Sequence, residues 1–136
     1  MNGSTRPGPV ILVAEDHLDS RDALKTLLEA VGYDVVVATD GRQAVARALE
    51  KHPALILMDM MMPEMDGLAA TRTLRQQAEM REVPILALTA LDGVRERVLA
   101  AGCDDYITKP IDLPVFLKKL EQWLAAGRGG ERVTGS

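Results

Sequence analysis

Five continuous apolar runs, alternating with segments of helical periodicity, constrain the fold of this chain most strongly. The runs predict strands at about residues 10–14, 34–38, 54–58, 83–88 and 105–108. Continuous rather than alternating apolar runs are typical of strands that a parallel sheet buries on both faces. Strict alternation of strand and helix implies right-handed crossovers, with helices on both sides of the sheet. The sequence therefore predicts an α/β fold, a doubly wound five-stranded parallel sheet of order 2-1-3-4-5 with five helices.

Capping residues mark the ends of the predicted helices. Gly32 and Gly102 suit the left-handed position that follows a helix, and they end the first and fourth. Asp40, Asp66 and Asp112 are N-cap candidates for the other three, and a glutamine three residues after Asp40 is typical of a capping box. The apolar stripes predicted to face the core are Leu24, Leu27, Leu28 and Val31; Ala44, Val45, Ala48 and Leu49; Leu68, Thr71 and Leu74; Leu91, Val94, Val98 and Ala101; and Leu113, Phe116, Leu117, Leu120 and Leu124.

The length of 136 residues fits one domain. We expect that domain at residues 9–125, because residues 1–8 and 126–136 are rich in Gly, Ser, Thr and charge and are expected to be flexible. The single Cys103 excludes an internal disulfide and is expected to be a buried apolar residue. No stretch approaches the ~18 apolar residues of a membrane span, and the N-terminus has no hydrophobic signal core. Cytoplasmic localisation without membrane insertion is predicted.

The charge balance argues against nucleic acid as a direct partner. Sixteen basic and twenty acidic residues give a net charge of -4, whereas binding to phosphate backbones depends on a concentrated basic surface. Aromatic residues make up only 3% of the chain, so the core must be built from aliphatic side chains and methionine.

Polar residues follow four of the five predicted strands. Glu15 and Asp16 follow the first, Asp59 the third, Thr89 the fourth and Lys109 the fifth. The carboxyl ends of parallel strands meet at one edge of the sheet, and ligands bind at the switch point between strands 1 and 3. These five side chains are therefore expected to form one site.

Three carboxylates and one ammonium leave two negative charges at this edge, which one divalent cation would balance. Two carboxylates roughly 4 Å apart repel by about 4 kcal/mol at an effective dielectric of about 20, so compensation is needed. An all-oxygen site suits Mg²⁺ or Mn²⁺, and no Cys or His cluster competes for the metal. A carboxylate such as Asp59, held beside a metal and the Lys109 ammonium, can accept a phosphoryl group as an acyl phosphate.

The residues resemble the receiver domain of two-component response regulators, in particular single-domain, chemotaxis-regulator-like members. The resemblance covers about residues 9–125 and rests on four motifs in order. These are VAED at 13–16, LMDMMMPEMDG at 57–67, LTA at 88–90 and GCDDYITKP at 102–110. It implies the flavodoxin-like version of the predicted fold.

By that resemblance Asp59 is the phosphoacceptor, and Glu15, Asp16 and Asp59 bind Mg²⁺, for which Mn²⁺ can substitute. The backbone carbonyl of Met61 is implied as a further metal ligand. Lys109 bridges to the phosphoryl group, and the Lys109-Pro110 peptide is expected to be cis.

The resemblance also implies a switch and its partners. Thr89 moves toward the phosphate and the aromatic Tyr106 follows it, which alters the face of helix 4, strand 5 and helix 5. The phosphoryl donor would be a phosphohistidine on a histidine kinase or a histidine phosphotransfer protein, and the output a downstream protein target. Such a protein is a signalling switch in a phosphorelay and not an enzyme in the ordinary sense.

Two departures from the commonest family pattern bear on this chemistry. Glu15 stands where Asp is frequent, and its extra methylene is expected to place a water between carboxylate and metal. Met61 and Leu91, two residues after Asp59 and Thr89, are apolar where relatives often have polar groups that touch the attacking water. We therefore predict a comparatively long-lived phosphorylated state.

Other readings of the sequence compete with this one. A haloacid dehalogenase-like phosphatase needs a second Asp two residues after its nucleophile, where Met61 stands, and a flavin module needs a Gly- and hydroxyl-rich loop after strand 1. A pseudo-receiver that only binds proteins, or a receiver fragment of a larger regulator or hybrid kinase, remains open.

Several residues receive structural rather than functional predictions. His17 and His52 are expected to face solvent, and Asp104 and Asp105 to lie at the surface or at the strand entry. Trp123 is expected to cover the edge of the core or to contact a partner. Methionines 58, 60, 61, 62 and 65 are predicted to be packing residues rather than soft-metal ligands.

Overall fold

The computed structural model describes residues 8–62, 65–90 and 95–130, with side chains through residue 126. Five parallel strands form one sheet, and their order confirms the predicted 2-1-3-4-5 arrangement. The strands are β1 (Val10–Ala14), β2 (Asp34–Ala38), β3 (Leu55–Asp59), β4 (Ile85–Thr89) and β5 (Asp105–Thr108).

A helix follows each strand, as predicted. The helices are α1 (Leu18–Ala30), α2 (Gly41–Lys51), α3 (Gly67–Arg75), α4 (Arg95–Ala101) and α5 (Leu113–Gly130), with a short 3₁₀ turn at Ala78–Met80. Helix α5 continues beyond residue 125, where the predicted domain ends. None of the described helices combines the length and the apolar character needed to cross a membrane.

The predicted caps are present at three helix starts. Asp40 accepts a hydrogen bond from the Gln43 amide at 2.8 Å, and the Gln43 side chain accepts one from the Thr39 amide at 2.9 Å. The Gln43 side chain thus binds the amide of the residue before the N-cap, whereas in a standard capping box it binds the amide of the N-cap residue itself. Asp66 accepts from the amide three residues on at 2.9 Å, and Asp112 does the same at a longer 3.3 Å. These bonds satisfy amides that the first helical turn leaves without partners.

The sheet separates two apolar cores, because successive side chains of a strand point to opposite faces. Leu12 and Ala14 of β1 pack with residues of α2, α3 and α4, whereas Ile11 and Val13 pack with residues of α1 and α5. Both faces of the central strands are covered, so β3 and β4 are buried along their whole length. This explains why the strands are continuous apolar runs in the sequence.

Among the residues that the structure describes, two predicted core residues are exposed, and both lie at helix ends. Val31 has 50% of its surface accessible and Leu113 44%. Val31 is the C-cap of α1, with φ -91° and ψ 4°, and Leu113 is the first residue of α5. At a helix terminus the helical period no longer determines which way a side chain points. Each predicted apolar stripe therefore includes one terminal residue that does not face the core. Leu91 and Val94 of the predicted fourth stripe lie outside the described residues, as do residues 1–7 and 131–136.

Asp104 stands directly before β5, at the predicted strand entry, but its side chain is buried rather than at the surface. Only 4% of its side chain is accessible, and it forms an ion pair with Arg75 at 2.7 Å. The same carboxylate oxygen accepts the Ile85 amide at 3.0 Å. The Arg75 guanidinium also donates to the carbonyl oxygens of Met80, Val83 and Gly102 at 2.7–2.8 Å. One side chain of α3 thereby fixes the entries of β4 and β5.

Gly102 lies against this network. Its φ of +116° is in the left-handed region, and a Cβ there would stand 2.7 Å from the Cγ of Arg75. A side chain at this position is therefore disfavoured both by the backbone conformation and by the guanidinium that binds its carbonyl oxygen.

Removal of the Arg75 side chain should strongly destabilise the fold. We expect Arg75→Ala to lower the free energy of unfolding by about 3–5 kcal/mol, because the buried Asp104 carboxylate loses its cation. Urea denaturation monitored by circular dichroism would measure the loss. Arg47→Ala is the matched control, since the pair of Arg47 with Glu50 at 3.8 Å is exposed, and we expect a change below about 0.5 kcal/mol. A loss below about 1 kcal/mol for Arg75→Ala would contradict the assignment of this ion pair as an anchor.

Candidate functional site

The predicted site residues converge at the carboxyl edge of the sheet. Glu15, Asp59 and Thr89 are buried, while Asp16 and Lys109 are half-buried. Backbone hydrogen bonds continue the ladders past three strand ends. They run from the Glu15 amide to the Ala38 carbonyl at 3.0 Å, from the Met60 amide to the Leu88 carbonyl at 3.1 Å, and from the Lys109 amide to the Thr89 carbonyl at 2.8 Å. The peptide before Pro110 is cis, as predicted.

The Lys109 ammonium joins two of the acids. Its Nζ lies 2.9 Å from Oε1 of Glu15 and 3.4 Å from Oδ2 of Asp59. The other oxygen of Asp59, Oδ1, accepts a hydrogen bond from the Met61 amide at 2.9 Å. Each oxygen of Asp59 therefore faces a donor, and Glu15 is the closer partner of the ammonium.

Gly67 allows α3 to begin beside this carboxylate. A Cβ at Gly67 would run into the backbone carbonyl oxygen of Asp59 and the neighbouring Met60. The Asp66-Gly67 pair thus combines the N-cap of α3 with a close approach to the end of β3. Pro63 lies outside the described residues.

Four side chains could hold a metal ion together. Ligand atoms of Glu15, Asp16, His17 and Asp59 all lie within 4.8 Å of one another. Oδ1 of Asp16 is buried and accepts no hydrogen bond from the described part of the chain. A buried carboxylate oxygen without a donor is costly unless a cation or water satisfies it. The residues present therefore fit a divalent ion with oxygen ligands.

His17 is a member of this group that the sequence did not predict. Its side chain is 74% accessible, which agrees with the expectation of a solvent-facing residue. Yet its Nδ1 lies 3.3 Å from Oε2 of Glu15 and 3.5 Å from Oδ1 of Asp16. Its position directly after two acids was the available signal.

Arg21 is a second residue that the sequence did not indicate. From the first turn of α1 its Nη1 donates to the carbonyl oxygens of Glu15 at 3.1 Å and Asp16 at 3.3 Å. The guanidinium holds the backbone that carries both acids. These two bonds place a positive charge near the acidic cluster, although they go to backbone carbonyl oxygens and not to the carboxylates.

The two buried acids have opposite pKa shifts. Burial raises the pKa of Asp59, and the adjacent Glu15 raises it further, to about 6, against the Met61 amide and Lys109. Burial would also raise the pKa of Glu15, but its hydrogen bonds with Asp59 and Lys109 prevail and hold the pKa below its usual value. Burial would lower the pKa of Lys109, but the two carboxylates raise it overall. Asp59 is therefore the acid that takes up a proton first as the pH falls.

Tyr106, the predicted switch aromatic, lies half-buried on β5 beside Ala87 of β4. Lys119 of α5 donates to its carbonyl oxygen at 2.7 Å, and the ammonium stands 4.9 Å from the ring centroid. Asp105, the first residue of β5 and thus at the predicted strand entry, is half-buried and accepts hydrogen bonds from Lys119 and from the Trp123 indole, each at 3.0 Å. Trp123 thus covers the edge of the core through a specific hydrogen bond.

Four of the five methionines between residues 58 and 65 are packing residues, as predicted. Met58, Met60 and Met62 are buried and Met65 packs against the same core, whereas Met61 is 71% accessible. The exposed Met61 lines a cavity of about 100 Å³ that also reaches Thr89 and Val98.

A groove of about 480 Å³ opens next to the acids, between α1 and the segment that leads into α5. Glu15 and Lys109 lie in its wall, and the rest of its lining is mainly apolar, including Leu24, Ile111 and Leu113. Leu113, which was predicted to face the core but is exposed, is therefore part of this groove.

Comparisons with known proteins agree on one family. The family model of the response regulator receiver domain matches residues 11–121 of this chain. The polar-differentiation response regulator DivK of Brucella ovis is 37% identical over 116 residues, which cover 84% of this chain and 94% of DivK. DivK of Brucella anthropi is 36% identical over the same length.

Solved structures give the same result. The receiver domain of the sensor histidine kinase PA1611 from Pseudomonas aeruginosa, which has a magnesium ion in its active site cleft, is 40% identical with a TM-score of 0.81. The match covers 87% of this chain and 98% of that domain. The receiver domain of Saccharomyces cerevisiae Ssk1, crystallised with the histidine phosphotransfer protein Ypd1, is 29% identical with a TM-score of 0.79, covering 88% and 90%.

The raised pKa of Asp59 predicts a pH-dependent effect of Asp59→Asn. Between an unfolded-state pKa of about 3.9 and a folded-state value of about 6, the folded protein binds more protons, so its stability falls as the pH rises. Asparagine removes this contribution. We expect the stability of Asp59→Asn relative to wild type to increase by about 1–2 kcal/mol from pH 4 to pH 7 in metal-free buffer.

Urea denaturation at several pH values, with a chelator present, would measure this difference. Gln122→Asn, an exposed amide substitution that removes no titrating group, is the control and should follow the wild-type profile. A difference between Asp59→Asn and wild type that stays constant across the pH range would contradict the prediction.

Proposed function

This chain belongs to the response regulator receiver domain family, and on that premise we propose that it is a phosphoryl-accepting switch whose acceptor is Asp59. The observation that carries the proposal is the arrangement of this buried carboxylate, with Lys109 at 3.4 Å on one oxygen and the Met61 amide at 2.9 Å on the other. Its only catalysis would be the phosphorylation and dephosphorylation of its own side chain.

In the proposed step, an oxygen of Asp59 forms a bond to the phosphorus of a phosphohistidine. The P–N bond breaks, and its electron pair returns to the donor imidazole. At neutral pH a pKa of about 6 leaves most of the Asp59 population ionised, which the nucleophile requires. Lys109, already protonated and placed between Asp59 and Glu15, would neutralise the phosphoryl oxygens as they approach.

Glu15, Asp16, Asp59 and the backbone carbonyl of Met61 are the proposed ligands of Mg²⁺. The orphaned Oδ1 of Asp16 and the 4.8 Å span of the acidic group support a cation here, as does the magnesium ion reported for the PA1611 receiver domain. When bound, Mg²⁺ would offset the charge of the acids and of the incoming phosphoryl oxygens. Mn²⁺, which takes the same oxygen ligands, is the proposed substitute.

Glu15 would act on Lys109 as well as on the metal. Its Oε1 is 0.5 Å closer to the ammonium than Oδ2 of Asp59 is, from 2.9 Å against 3.4 Å. Before phosphorylation Glu15 would therefore hold the ammonium in position. After phosphorylation the more highly charged phosphoryl group would attract it toward Asp59.

The proposed output is a change in the face formed by α4, β5 and α5. Thr89 ends β4 beside the cavity that reaches Met61, and Tyr106 packs against the same core as Val98 of α4. A shift of Thr89 toward a phosphate would change what Tyr106 packs against. Lys119, bound to the Tyr106 carbonyl at 2.7 Å, would transmit that change to α5.

We propose a histidine kinase or a histidine phosphotransfer protein as the phosphoryl donor. The apolar groove between α1 and the start of α5 leads directly to Glu15 and Lys109, so a helical partner seated there would bring its histidine to the acids. The Ssk1 receiver domain, crystallised with such a protein, is a structural relative. The downstream target would be a protein that contacts the α4, β5 and α5 face.

Phosphorylation by a small acyl phosphate tests the proposed function directly. Incubation with acetyl phosphate and Mg²⁺ should add one phosphate-sized mass to the intact protein, as measured by mass spectrometry. The adduct should be absent in Asp59→Asn and should not form when the divalent ion is chelated. Gln122→Asn, treated alongside, should be modified like the wild type.

An unmodified wild-type protein at every donor concentration would overturn the proposal and leave a pseudo-receiver that binds proteins without phosphorylation. An adduct of equal yield in Asp59→Asn would place the acceptor elsewhere. Both results are readable without knowledge of the natural kinase.

The phosphorylated state is expected to be long-lived, because the exposed Met61 cannot position a water for attack on the acyl phosphate. Leu91, its predicted counterpart, lies outside the described residues. We expect the Met61→Asn, Leu91→Glu double variant to lose its phosphate about tenfold faster than wild type in Mg²⁺. Phosphate release after removal of the donor would measure the rate. Hydrolysis in the wild type that is as fast as in the double variant would reject this prediction.

A further inference from the structure

Lys119 of α5 contacts Tyr106 of β5 in two ways. Its Nζ donates to the Tyr106 carbonyl oxygen at 2.7 Å and stands over the ring, 4.9 Å from the centroid. An ammonium within about 6 Å of an aromatic centroid is attracted to the electrons of the ring face. Only 26% of the Lys119 side chain is accessible, so water screens this attraction less than it would between exposed groups. The ammonium therefore holds both the backbone and the ring of Tyr106.

Asp105 fixes the ammonium in this position. Its Oδ1 accepts hydrogen bonds from Lys119 at 3.0 Å and from the Tyr106 amide at 2.8 Å, and its Oδ2 accepts the Trp123 indole at 3.0 Å. The carboxylate is thus tied to both β5 and α5. A lysine that is already bonded to a carboxylate and a carbonyl has lost much of its conformational freedom. The contact with the ring therefore forms at little further entropic cost.

The ring of Tyr106 lies between a packed core and an open pocket. On one side it packs against the core that contains Val98 of α4. On the other side it lines a pocket of about 190 Å³ between β5 and α5, together with Thr108, Val115 and Lys119. A ring beside open space is not fixed by packing on that side. The ammonium is the charged group that holds it there.

The contacts of Lys119 differ in how they respond to movement of the ring. Asp105 and the Tyr106 carbonyl belong to β5, whose pairing with β4 places Tyr106 beside Ala87. These bonds persist while the backbone stays in the sheet, whereas the ring contact exists only while the ring lies under the ammonium. In the proposed switch a shift of Thr89 changes what the ring packs against, and a ring that follows Thr89 leaves the ammonium. The ring contact therefore stabilises one of the two positions.

We propose that Lys119 is a positioning residue that restrains Tyr106 in the position seen in the structure and thereby opposes the response to a phosphoryl group on Asp59. This inference rests on the proposed function, in which Tyr106 moves after phosphorylation. Because the two events are linked, whatever holds the ring in place also weakens the affinity of Asp59 for a phosphoryl group. Loss of the Lys119 charge should therefore strengthen that affinity, whereas simple damage to the fold would weaken it.

Binding of beryllofluoride, which mimics a phosphoryl group on a carboxylate, tests this inference without a phosphoryl donor. Isothermal titration of the full chain in Mg²⁺ would give the affinity of each variant. Lys119→Gln keeps a donor for the Tyr106 carbonyl and for Asp105 but removes the charge over the ring. We expect it to bind beryllofluoride at least about threefold more tightly than wild type. Lys119→Arg retains a cation and should stay within about twofold of wild type.

Lys118→Gln is the matched control, because it removes the charge of the neighbouring, exposed lysine. Its affinity should equal that of wild type. A double-mutant cycle then shows whether Lys119 acts through the ring. In a Tyr106→Leu background the ring is absent, and Lys119→Gln should no longer change the affinity. Urea denaturation of every variant would establish that each is folded at the temperature of the titration.

An affinity of Lys119→Gln equal to or weaker than that of wild type would overturn the inference. Equal tightening in the Tyr106→Leu background would also overturn it, because Lys119 would then act by a route other than the ring. Both results leave Asp59 as the proposed acceptor. A wild-type protein that binds no beryllofluoride in Mg²⁺ would instead contradict the phosphoryl-accepting switch and this inference with it, so the two failures are distinguishable.

Discussion

The ion pair between Glu15 and Lys109 is the interaction on which the site depends. It joins residues that follow β1 and β5, two strands that lie on either side of β3 and β4 in the sheet. Asp59 ends β3 between them, so its carboxylate is buried next to another acid and remains tolerable because the ammonium is shared. Without that cation, two buried carboxylates would have to share protons. The order of the strands thus determines the electrostatics of the site.

Much of the fold and the site could be predicted from the sequence, because both follow from local patterns. Strand positions, sheet order and the caps at Asp40 and Asp66 depend on neighbours within a few residues, and strand ends indicate where polar side chains converge. The Arg75–Asp104 pair could not be predicted, because its partners are 29 residues apart in the sequence. Without a structure that brings them together, each charged residue is expected to lie at the surface. The proximity of His17 to the acids was missed for another reason. The prediction that its side chain faces solvent is correct, but it does not tell which ring atom faces the acids.

The helix ends show how a departure from periodicity can coincide with function. Leu113 was expected in the core and instead lines the groove beside Lys109. An apolar side chain at the start of a helix does not follow the stripe of that helix, and it remains available to a partner. Met61 is the same kind of exception among methionines that otherwise pack into the core, and its amide binds Asp59. Met61 and Leu113 are thus exposed apolar residues beside the site, whereas Val31 is exposed at the opposite end of α1.

The two cores on opposite faces of the sheet have an evolutionary consequence. The groove beside Glu15 and Lys109 is built on the α1 and α5 side, whereas Thr89 and Tyr106 meet the cavity and core of the α3 and α4 side. Substitutions that alter one surface need not disturb packing behind the other, because the backbone of the sheet lies between them. Substitutions on α1 could therefore change the groove while the core beneath Thr89 and Tyr106 is kept, whereas α5, which carries both Leu113 and Lys119, belongs to both surfaces.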